Sequence, residues 1–359
     1  MAGGGPAGTA AAAAARAQRL NVELVSAPVR QLHPGESLPP GTEGVLNQLF
    51  GASALRWSRH RAAYGNRSAW GDNALDRTDF MLNPLGHGWH VDRRALDASL
   101  LGSLHAQGVR VRRATRVAHC SWGGDCWEVI LDGQRPMRAR AIVDATGRAA
   151  RIARSQGARR TRLDRLLAAY WLLANSHERG RDSTTLVEAV PDGWWYTTPV
   201  PGRRRVVAFL TDADLLAPRA ARTTRDWRER LALAPHLANA LASTGLCLND
   251  APLITDASVA YLDPLTGPGW AAAGDAAVSF DPLSSQGILT ALLMGHDAGQ
   301  AVAAMLTNAD PDPLLRYSSN YAKLLETHVL LRAAYYALEQ RWPHAPFWTR
   351  RHALTNALT

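Results

Sequence analysis

Lysine is almost absent from this 359-residue chain: it occurs once, at Lys323, and every other basic side chain is arginine. Cysteine is scarce as well. Cys120, Cys126 and Cys247 show no metal-binding spacing, and their odd number argues against a disulfide framework. Cys120 and Cys126 bracket Ser-Trp-Gly-Gly-Asp, a hairpin-tip sequence that allows them to face one another, with free thiols in a reducing cytoplasm as the expected state. No apolar run reaches membrane-spanning length; the longest, Ile288 to Leu306, is broken by His296, Asp297 and Gln300. Met1 leads straight into glycines with no basic region or cleavage site, so no signal peptide is expected, and the expected location is cytoplasmic. Acidic residues are outnumbered, and the formal charge is +9. That excess is read as arginine-biased composition rather than a nucleic-acid surface, because clusters such as Arg203 to Arg205 look like a hairpin turn, not a basic helix.

Hydrophobic residues at 47% and charged residues at 20% give an ordinary globular balance, in a chain long enough for one large core or two smaller ones. The alanine run Ala10 to Ala15 predicts an early helix, and Asn21 to Val25 a short strand. Val91 to Leu104 carries apolar residues at helical spacing. Strands are expected at 109–117, 127–131, 141–143, 194–198, 206–210 and 270–273, with helix from Gln286 to near the end. The pattern predicts a mixed α/β fold: a Rossmann-like dinucleotide domain, an inserted β-rich domain and C-terminal helices.

Two constellations carry chemistry. Gly3-Gly4-Gly5-Pro6-Ala7-Gly8 places glycines at positions 3, 5 and 8. These suit, in turn, a tight turn, close backbone approach to a pyrophosphate, and close helix–strand packing. Only Met1 and Ala2 stand where the first strand is expected, so that strand reads as missing. Ser26 stands where an acidic ribose ligand is usual. Far along the chain, Gly274-Asp275 precedes Asp281-Pro282-Leu283-Ser284-Ser285-Gln286-Gly287-Ile288. An aspartate there can accept hydrogen bonds from polyol hydroxyls, and the helix start can stabilise negative charge.

These segments, with PGESLPP at 34–40, GWHVDRRALD at 88–97 and DATGR at 144–148, resemble FAD-dependent monooxygenases of the hydroxybenzoate-hydroxylase fold, a group that includes the tryptophan halogenases. The resemblance implies FAD contacts at Gly3, Gly5, Gly8, Ser26, Glu36, Arg93, Asp275, Pro282, Ser285, Gly287 and Ile288. It implies a discontinuous FAD domain (1–60, 88–160 and 262–310), a substrate domain (61–87 and 161–261) and a helical segment (311–359). GWWYTTPVPGRRRVVAFLTDADL at 193–215 and YYALEQRWPHAPFWTRR at 335–351 are most similar to flavoprotein maturases of tryptophan-derived quinone cofactors. Halogenases of this group use a lysine in the N-terminal third, and none stands there.

The expected activity is therefore FAD-dependent oxygen insertion into an aromatic ring, such as tryptophan in a partner polypeptide. Electrons would come from NAD(P)H or a separate reductase. Trp194, Trp195, Tyr196 and Asp281 are the candidates for the substrate pocket, with Trp195 expected to point away from its neighbours. His87 and His90 could move protons, although a structural role is expected of each. Two alternatives stay open: a flavin-dependent reductase or dehydrogenase, and a non-catalytic maturation factor with a degenerate FAD site.

Overall fold

The computed structural model describes residues 1–28, 36–52, 57–174, 182–216, 223–307 and 312–358, with side chains described as far as residue 353. Pro34 and Gly35 of the PGESLPP segment lie outside the described residues.

The first helix explains much of the rest. α1 (Pro6–Ala17) starts with proline in its first turn, where a missing N–H costs nothing, and runs through the alanines. Ala10 to Ala15 are all buried, so this helix is enclosed on every side. Against it lies α7 (Gly287–Thr307). A Cβ on Gly295 would fall inside the Ala7 carbonyl oxygen, and one on Gly299 inside that of Ala11. Glycine on one helix and alanine on the other let the two backbones nearly touch.

A parallel sheet flanks this pair. β1 (Glu23–Val25) pairs with β7 (Arg110–Arg112), and β11 (Ile142–Asp144) with β20 (Trp270–Ala272), which also takes antiparallel β19 (Thr266–Gly267). Ala2 bridges β1 and β11 in parallel, so the place of the first strand is held by Met1 and Ala2 rather than left empty. The amides of Ala2, Gly3 and Val25 donate to Val143, Val25 and Met1 carbonyls at 2.9 Å. The Met1 amine donates to the Glu23 carbonyl at 2.7 Å, and burial lowers its pKa to about 6.

The second large unit is a seven-stranded sheet in the order β17-β13-β16-β15-β14-β4-β5. Its members are β4 (Gly65–Ala69), β5 (Asp76–Asp79), β13 (Leu166–Ala174), β14 (Thr184–Val190), β15 (Gly193–Val200), β16 (Arg204–Asp212) and β17 (Leu253–Asp256). Of the Arg203 to Arg205 cluster, only Arg203 lies in the turn joining β15 to β16; Arg204 and Arg205 begin β16. One face of this sheet is sealed by α5 (Thr224–Ala232) and α6 (Pro235–Ala242), whose Trp227 and Leu237 pack on Trp171, Trp195 and Phe209.

A three-stranded sheet, β2 (Glu36–Leu38), β6 (Gly88–Val91) and β3 (Arg61–Ala63), touches the other face through β15 and carries α2 (Thr42–Phe50) and α3 (Arg93–Ala106) beside it. Smaller sheets are formed by β8 (Val117–Trp122), β9 (Trp127–Leu131) and β10 (Met137–Ala139), and by β12 (Arg159–Arg162), β18 (Ala260–Asp263) and β21 (Val278–Ser279). Short α4 (Arg151–Ser155) and the C-terminal α8 (Pro313–Ala337) and α9 (Pro346–Leu358) complete the chain.

The predicted strand at 109–117 is shorter than expected and ends at Arg112. Cys120 and Cys126 do not face one another: Cys120 pairs with Val129 across the hairpin and sits by Ser155, while the Cys126 thiol lies 2.7 Å from an Arg138 guanidinium nitrogen. All three thiols are free. Among the described residues no helix is long and apolar enough to cross a membrane.

The α1–α7 contact makes a prediction. Gly295→Ala should destabilise the fold by roughly 2–4 kcal/mol, because backbone rather than a movable side chain blocks the new methyl. Gly102→Ala, in the exposed middle of α3 with no neighbour in the way, should instead stabilise by about 0.5–1 kcal/mol. Urea denaturation of the two variants checks the opposite signs.

Candidate functional site

The C-terminal ends of Ala2, β1, β11 and β20 open on one edge of the parallel sheet, the edge where such folds hold a dinucleotide. Gly3 leads out of the first of them with φ +122, a conformation that favours glycine. A Cβ there would strike the Ala145 carbonyl, and one on Gly8 would strike the Gly3 carbonyl. Gly5 differs: nothing lies within 4 Å of where its Cβ would stand. The first and third glycines are thus required by the protein itself, whereas the second faces open space. Gly5 also caps α1 with no side-chain oxygen, leaving first-turn N–H groups free to meet a phosphate. Ser26, at the end of β1, sets its hydroxyl over Gly4.

The remaining predicted cofactor residues gather around the same edge. Glu36 on β2 pairs with Arg93, which also donates to Asp97 at 3.1 Å. Asp92 caps α3 through the Ala95 amide at 3.0 Å and pairs with Arg204 at 2.8 Å, tying α3 to the seven-stranded sheet. Asp275 follows β20 in a single turn of 3-10 helix. Its side chain is half exposed, 3.8 Å from the Arg148 guanidinium of the DATGR segment, while Arg160 holds its carbonyl at 2.8 Å. Gly274 has φ +60, and a Cβ there would stand 2.7 Å from that of Ala7, so this turn packs directly on α1.

The DPLSSQG segment forms another 3-10 turn, Pro282–Ser284, with Ser285 in the left-handed region, before α7 begins at Gly287. Pro282 and Gly287 are exposed and Ser285 half-buried, while the Ile288 side chain packs in the core beside α1. Any contact from Ile288 would therefore be through its backbone.

Asp281 is buried and fully engaged inside the protein. Oδ1 accepts from the Leu283 amide at 3.0 Å, and Oδ2 accepts from Arg332 Nε at 2.7 Å and the Tyr336 hydroxyl at 3.2 Å. Arg332 also pairs with Asp164, and the Asp281 amide donates to His328 Nε2 at 3.3 Å. Burial lowers the pKa of His328 to about 4, so it accepts that bond as a neutral ring. Arg332, Tyr336 and Asp164 escaped the sequence reading. The signal that could have found Arg332 is Asp281 itself, since a buried carboxylate needs a cation.

The three aromatics of β15 part company as the alternation requires. Trp195 is 0% exposed on the sealed face, among Trp171, Trp227 and Phe209. Trp194 is 1% exposed on the other face, its Nε1 donating to the Tyr336 hydroxyl at 3.1 Å amid Trp348 and Phe347. Both indoles are consumed by packing, so neither lines an open pocket. Tyr196 retains partial exposure. Its cross-strand neighbours are Val187 and Ala208, flanked in turn by Ser68 and Tyr170. Ser68, Ala168, Val187 and Tyr196 all stay partly open, whereas Leu186, Trp195, Val207 and Phe209 on the opposite face are closed. Leu283 of the DPLSSQG turn packs against the Trp194 end of this open face, and the Glu36 charge acts on Tyr196. Tyr196 thus stands between the two cofactor segments.

Beside it lies a buried polar chain. His90 Nε2 contacts the Ser183 carbonyl at 3.2 Å, and His90 Nδ1 contacts Thr198 Oγ1 at 2.9 Å. Thr185 Oγ1 is 3.2 Å from Thr198 Oγ1, and Thr198 follows Tyr196 by two positions on the same face of β15. Burial lowers the pKa of His90 to about 4 and raises that of Tyr196, so both are neutral at pH 7. His87 sits apart, its Nδ1 2.8 Å from the Gly88 carbonyl.

Two predictions arise from this geometry. Gly5→Ala should leave the unfolding midpoint of the cofactor-free protein unchanged yet weaken FAD binding at least about tenfold, read by flavin titration. For His90, the folded pKa lies below the unfolded value, so its contribution to stability is complete above about pH 6.5 and declines as pH falls towards 4. Wild-type protein should lose on the order of 1 kcal/mol per pH unit in that window relative to His90→Gln, measured by urea unfolding at several pH values.

The fold agrees with that of known proteins. The family model of tryptophan halogenases matches residues 63–358. LodB of Marinomonas mediterranea, described as an FAD-dependent oxidoreductase, is 25% identical over 360 residues, covering 98% of this chain and 96% of its own. Among solved structures, the flavin-dependent halogenase CmlS superposes with a TM-score of 0.84 at 23% identity, over 98% of this chain and 66% of that longer one. QhpG, a peptidyl tryptophan dihydroxylase essential for tryptophylquinone cofactor biogenesis, superposes with a TM-score of 0.77 at 22% identity, over 98% of this chain and 77% of QhpG.

Proposed function

Because the chain belongs to the tryptophan halogenase family of FAD-dependent oxidoreductases, we propose that it uses FAD to hydroxylate, rather than halogenate, an aromatic ring, and that the ring is a tryptophan of a partner polypeptide. The observation that carries this reading is the partly open sheet face at Tyr196, floored by Tyr170, Ala208 and Val187 and set between Glu36 and the DPLSSQG turn. It is largely apolar and aromatic, with the Tyr196 hydroxyl in its middle and the Ser68 and Tyr170 side chains on either side. The sole lysine, Lys323, is exposed on α8, so this face has no ammonium group to direct a halogenating species. LodB, an FAD-dependent oxidoreductase, matches this chain nearly end to end, and QhpG, which shares the fold, acts on a peptidyl tryptophan, which supports a protein substrate.

In this reading the discontinuous segments 1–60, 88–160 and 262–310 form the FAD domain, 61–87 and 161–261 the substrate domain, and 311–359 a helical buttress. β3 is the exception: it pairs in the small sheet with β2 and β6. Gly3, Gly5 and Gly8 bring backbone to the pyrophosphate, and Ser26 offers a hydroxyl to the ribose. Glu36, Arg93 and Asp275 supply polar contacts, and Pro282, Ser285, Gly287 and Ile288 present the start of α7 to the flavin ring.

Reduced FAD supplies the electrons that activate dioxygen for insertion into an electron-rich ring. The protein's own tasks are to orient that ring, exclude water and stabilise developing charge. Val187, Ala208 and the Tyr170 ring give the substrate ring a mostly apolar floor. The N-terminus of α7 offers backbone N–H groups to negative charge. The Asp281–Arg332–Tyr336 group keeps the turn beneath it rigid. Reducing equivalents would come from NAD(P)H or a separate reductase. An unobstructed glycine turn with Met1 and Ala2 seated in the sheet favours a working cofactor site over a binding factor that has lost it.

Supplied with a flavin reductase, FAD, oxygen and tryptophan-containing peptides, the protein should consume oxygen and add one or two oxygen atoms to the peptide, seen by mass spectrometry. Added chloride or bromide should give no halogenated product, and Lys323→Met should leave turnover unchanged. Halogenated peptide from the wild type would overturn this reading.

A further inference from the structure

At the outer edge of the seven-stranded sheet, Arg67 of β4 and Arg77 of β5 stand directly opposite one another across the antiparallel pair. Like charges in that register cost stability unless an anion lies between them. Their row continues inward through Leu186, Thr197 and Val207, all buried, while Arg77 at its outer end is exposed. The neighbouring carboxylates are engaged elsewhere. Asp182 accepts from Arg205 at 2.7 Å and from the Thr184 hydroxyl and amide at 2.9 and 3.2 Å, which leaves Arg67 Nη2 3.4 Å from both its oxygens. Arg61 adds a further guanidinium, donating to the Asp182 carbonyl at 2.6 Å. Glu188 accepts from the His236 and Leu237 amides at the start of α6, at 3.2 and 2.7 Å, and Asp79 from the Met81 amide at 2.8 Å. The Nε atoms of Arg67 and Arg205 are buried with no hydrogen-bond partner, and among the described residues Arg77 forms no ion pair.

We infer that Arg67 and Arg77 form a binding site for a carboxylate side chain of the partner polypeptide, which lies as an extended segment along the free edge of β5. The inference rests on the proposed polypeptide substrate and says where that chain is held outside the ring site. β5 ends the strand order of the sheet, and all four of its residues are exposed. The Phe80 amide donates to the Tyr64 carbonyl, so by alternation the backbone groups of Arg77 and Asp79 point outward from the sheet. An extended chain added there completes those hydrogen bonds, and every second side chain of it falls on the arginine face. A carboxylate so placed can accept from both guanidinium groups, which a neutral amide of the same shape cannot match. On the other face, the row from Asp76 through Ser68 and Val187 leads to Tyr196, so a chain anchored at β5 lies beside the open face.

The test uses full-length protein loaded with oxidised FAD and labelled tryptophan-containing peptides in matched pairs. Each pair differs only by glutamate or glutamine at one position, set at successive distances from the tryptophan, and binding is read by fluorescence anisotropy. For at least one spacing, wild type should bind the glutamate peptide about tenfold more tightly, as a charge-assisted contact allows. The preference should shrink as salt is raised and vanish in Arg77→Gln and in Arg67→Gln. Arg113→Gln, which removes an exposed arginine just after β7, should keep it. Equal binding at every spacing, no binding of any peptide, a preference that survives in Arg77→Gln, or an equal loss in Arg113→Gln would overturn the assignment. So would displacement of the glutamate peptide by acetate at matched concentration, which would mark a site for small free anions. The hydroxylase reading is judged separately by oxygen incorporation. Incorporation with no glutamate preference would end this inference and leave that reading standing, and a glutamate preference without incorporation would do the reverse.

Discussion

The contact between α1 and α7 is the constraint from which the rest of the architecture follows. Gly295 and Gly299 let α7 press on the Ala7 and Ala11 carbonyls, and the alanine run allows other elements to close over α1. Each helix begins at a cofactor segment: α1 at the glycine turn, α7 just beyond DPLSSQG. Fixing the helices against one another therefore fixes the distance between the two candidate cofactor segments, one at the start of the chain and one just before α7. Gly274, packed on Ala7, brings the Asp275 turn to the same place. One close approach of small residues sets three parts of the site.

Charge does for the periphery what small residues do for the centre. Arg332 reaches from α8 to Asp281 and Asp164, joining the C-terminal helices to the turn before α7 and to the residues just before β13. Arg350 and Arg351 on α9 pair with Asp212 at 2.9 and 2.8 Å. Burial alone would raise the Asp212 pKa, but the two guanidinium groups outweigh it and hold the carboxylate below its ordinary range. Because these carboxylates sit in the low-dielectric interior, the pairs specify where the helices dock more than they add to net stability.

Much of this was legible in the sequence, and the division is physical. The glycine spacing, the alanine helix and the alternation along Trp194, Trp195 and Tyr196 are local patterns, and each appears where it was read. No strand forms ahead of α1, as a count of residues before Gly3 implied, but that count could not show that Ala2 still bridges β1 and β11. The pairing of Arg332 with Asp281 and of His90 with Thr198 joins residues separated by 51 and 108 positions, with no periodicity to announce them. Trp194, Trp195 and Asp281 were attractive as pocket residues from their chemistry alone. The fold spends the two indoles on packing and the carboxylate on anchoring a turn.

The seven-stranded sheet also has a meaning for how this protein can change over evolutionary time. Its two faces are written on alternate residues of the same strands: Trp195, Val207 and Phe209 in the sealed core, Tyr196, Val187 and Ser68 on the partly open side. A substitution at an open-face position replaces what a ligand would meet while leaving the packed layer behind it intact. Diversification of the recognised molecule and maintenance of the fold are thus assigned to different letters of one β-strand. On the proposed function, a lineage can vary the ring it recognises on this sheet without first acquiring compensating mutations in its core.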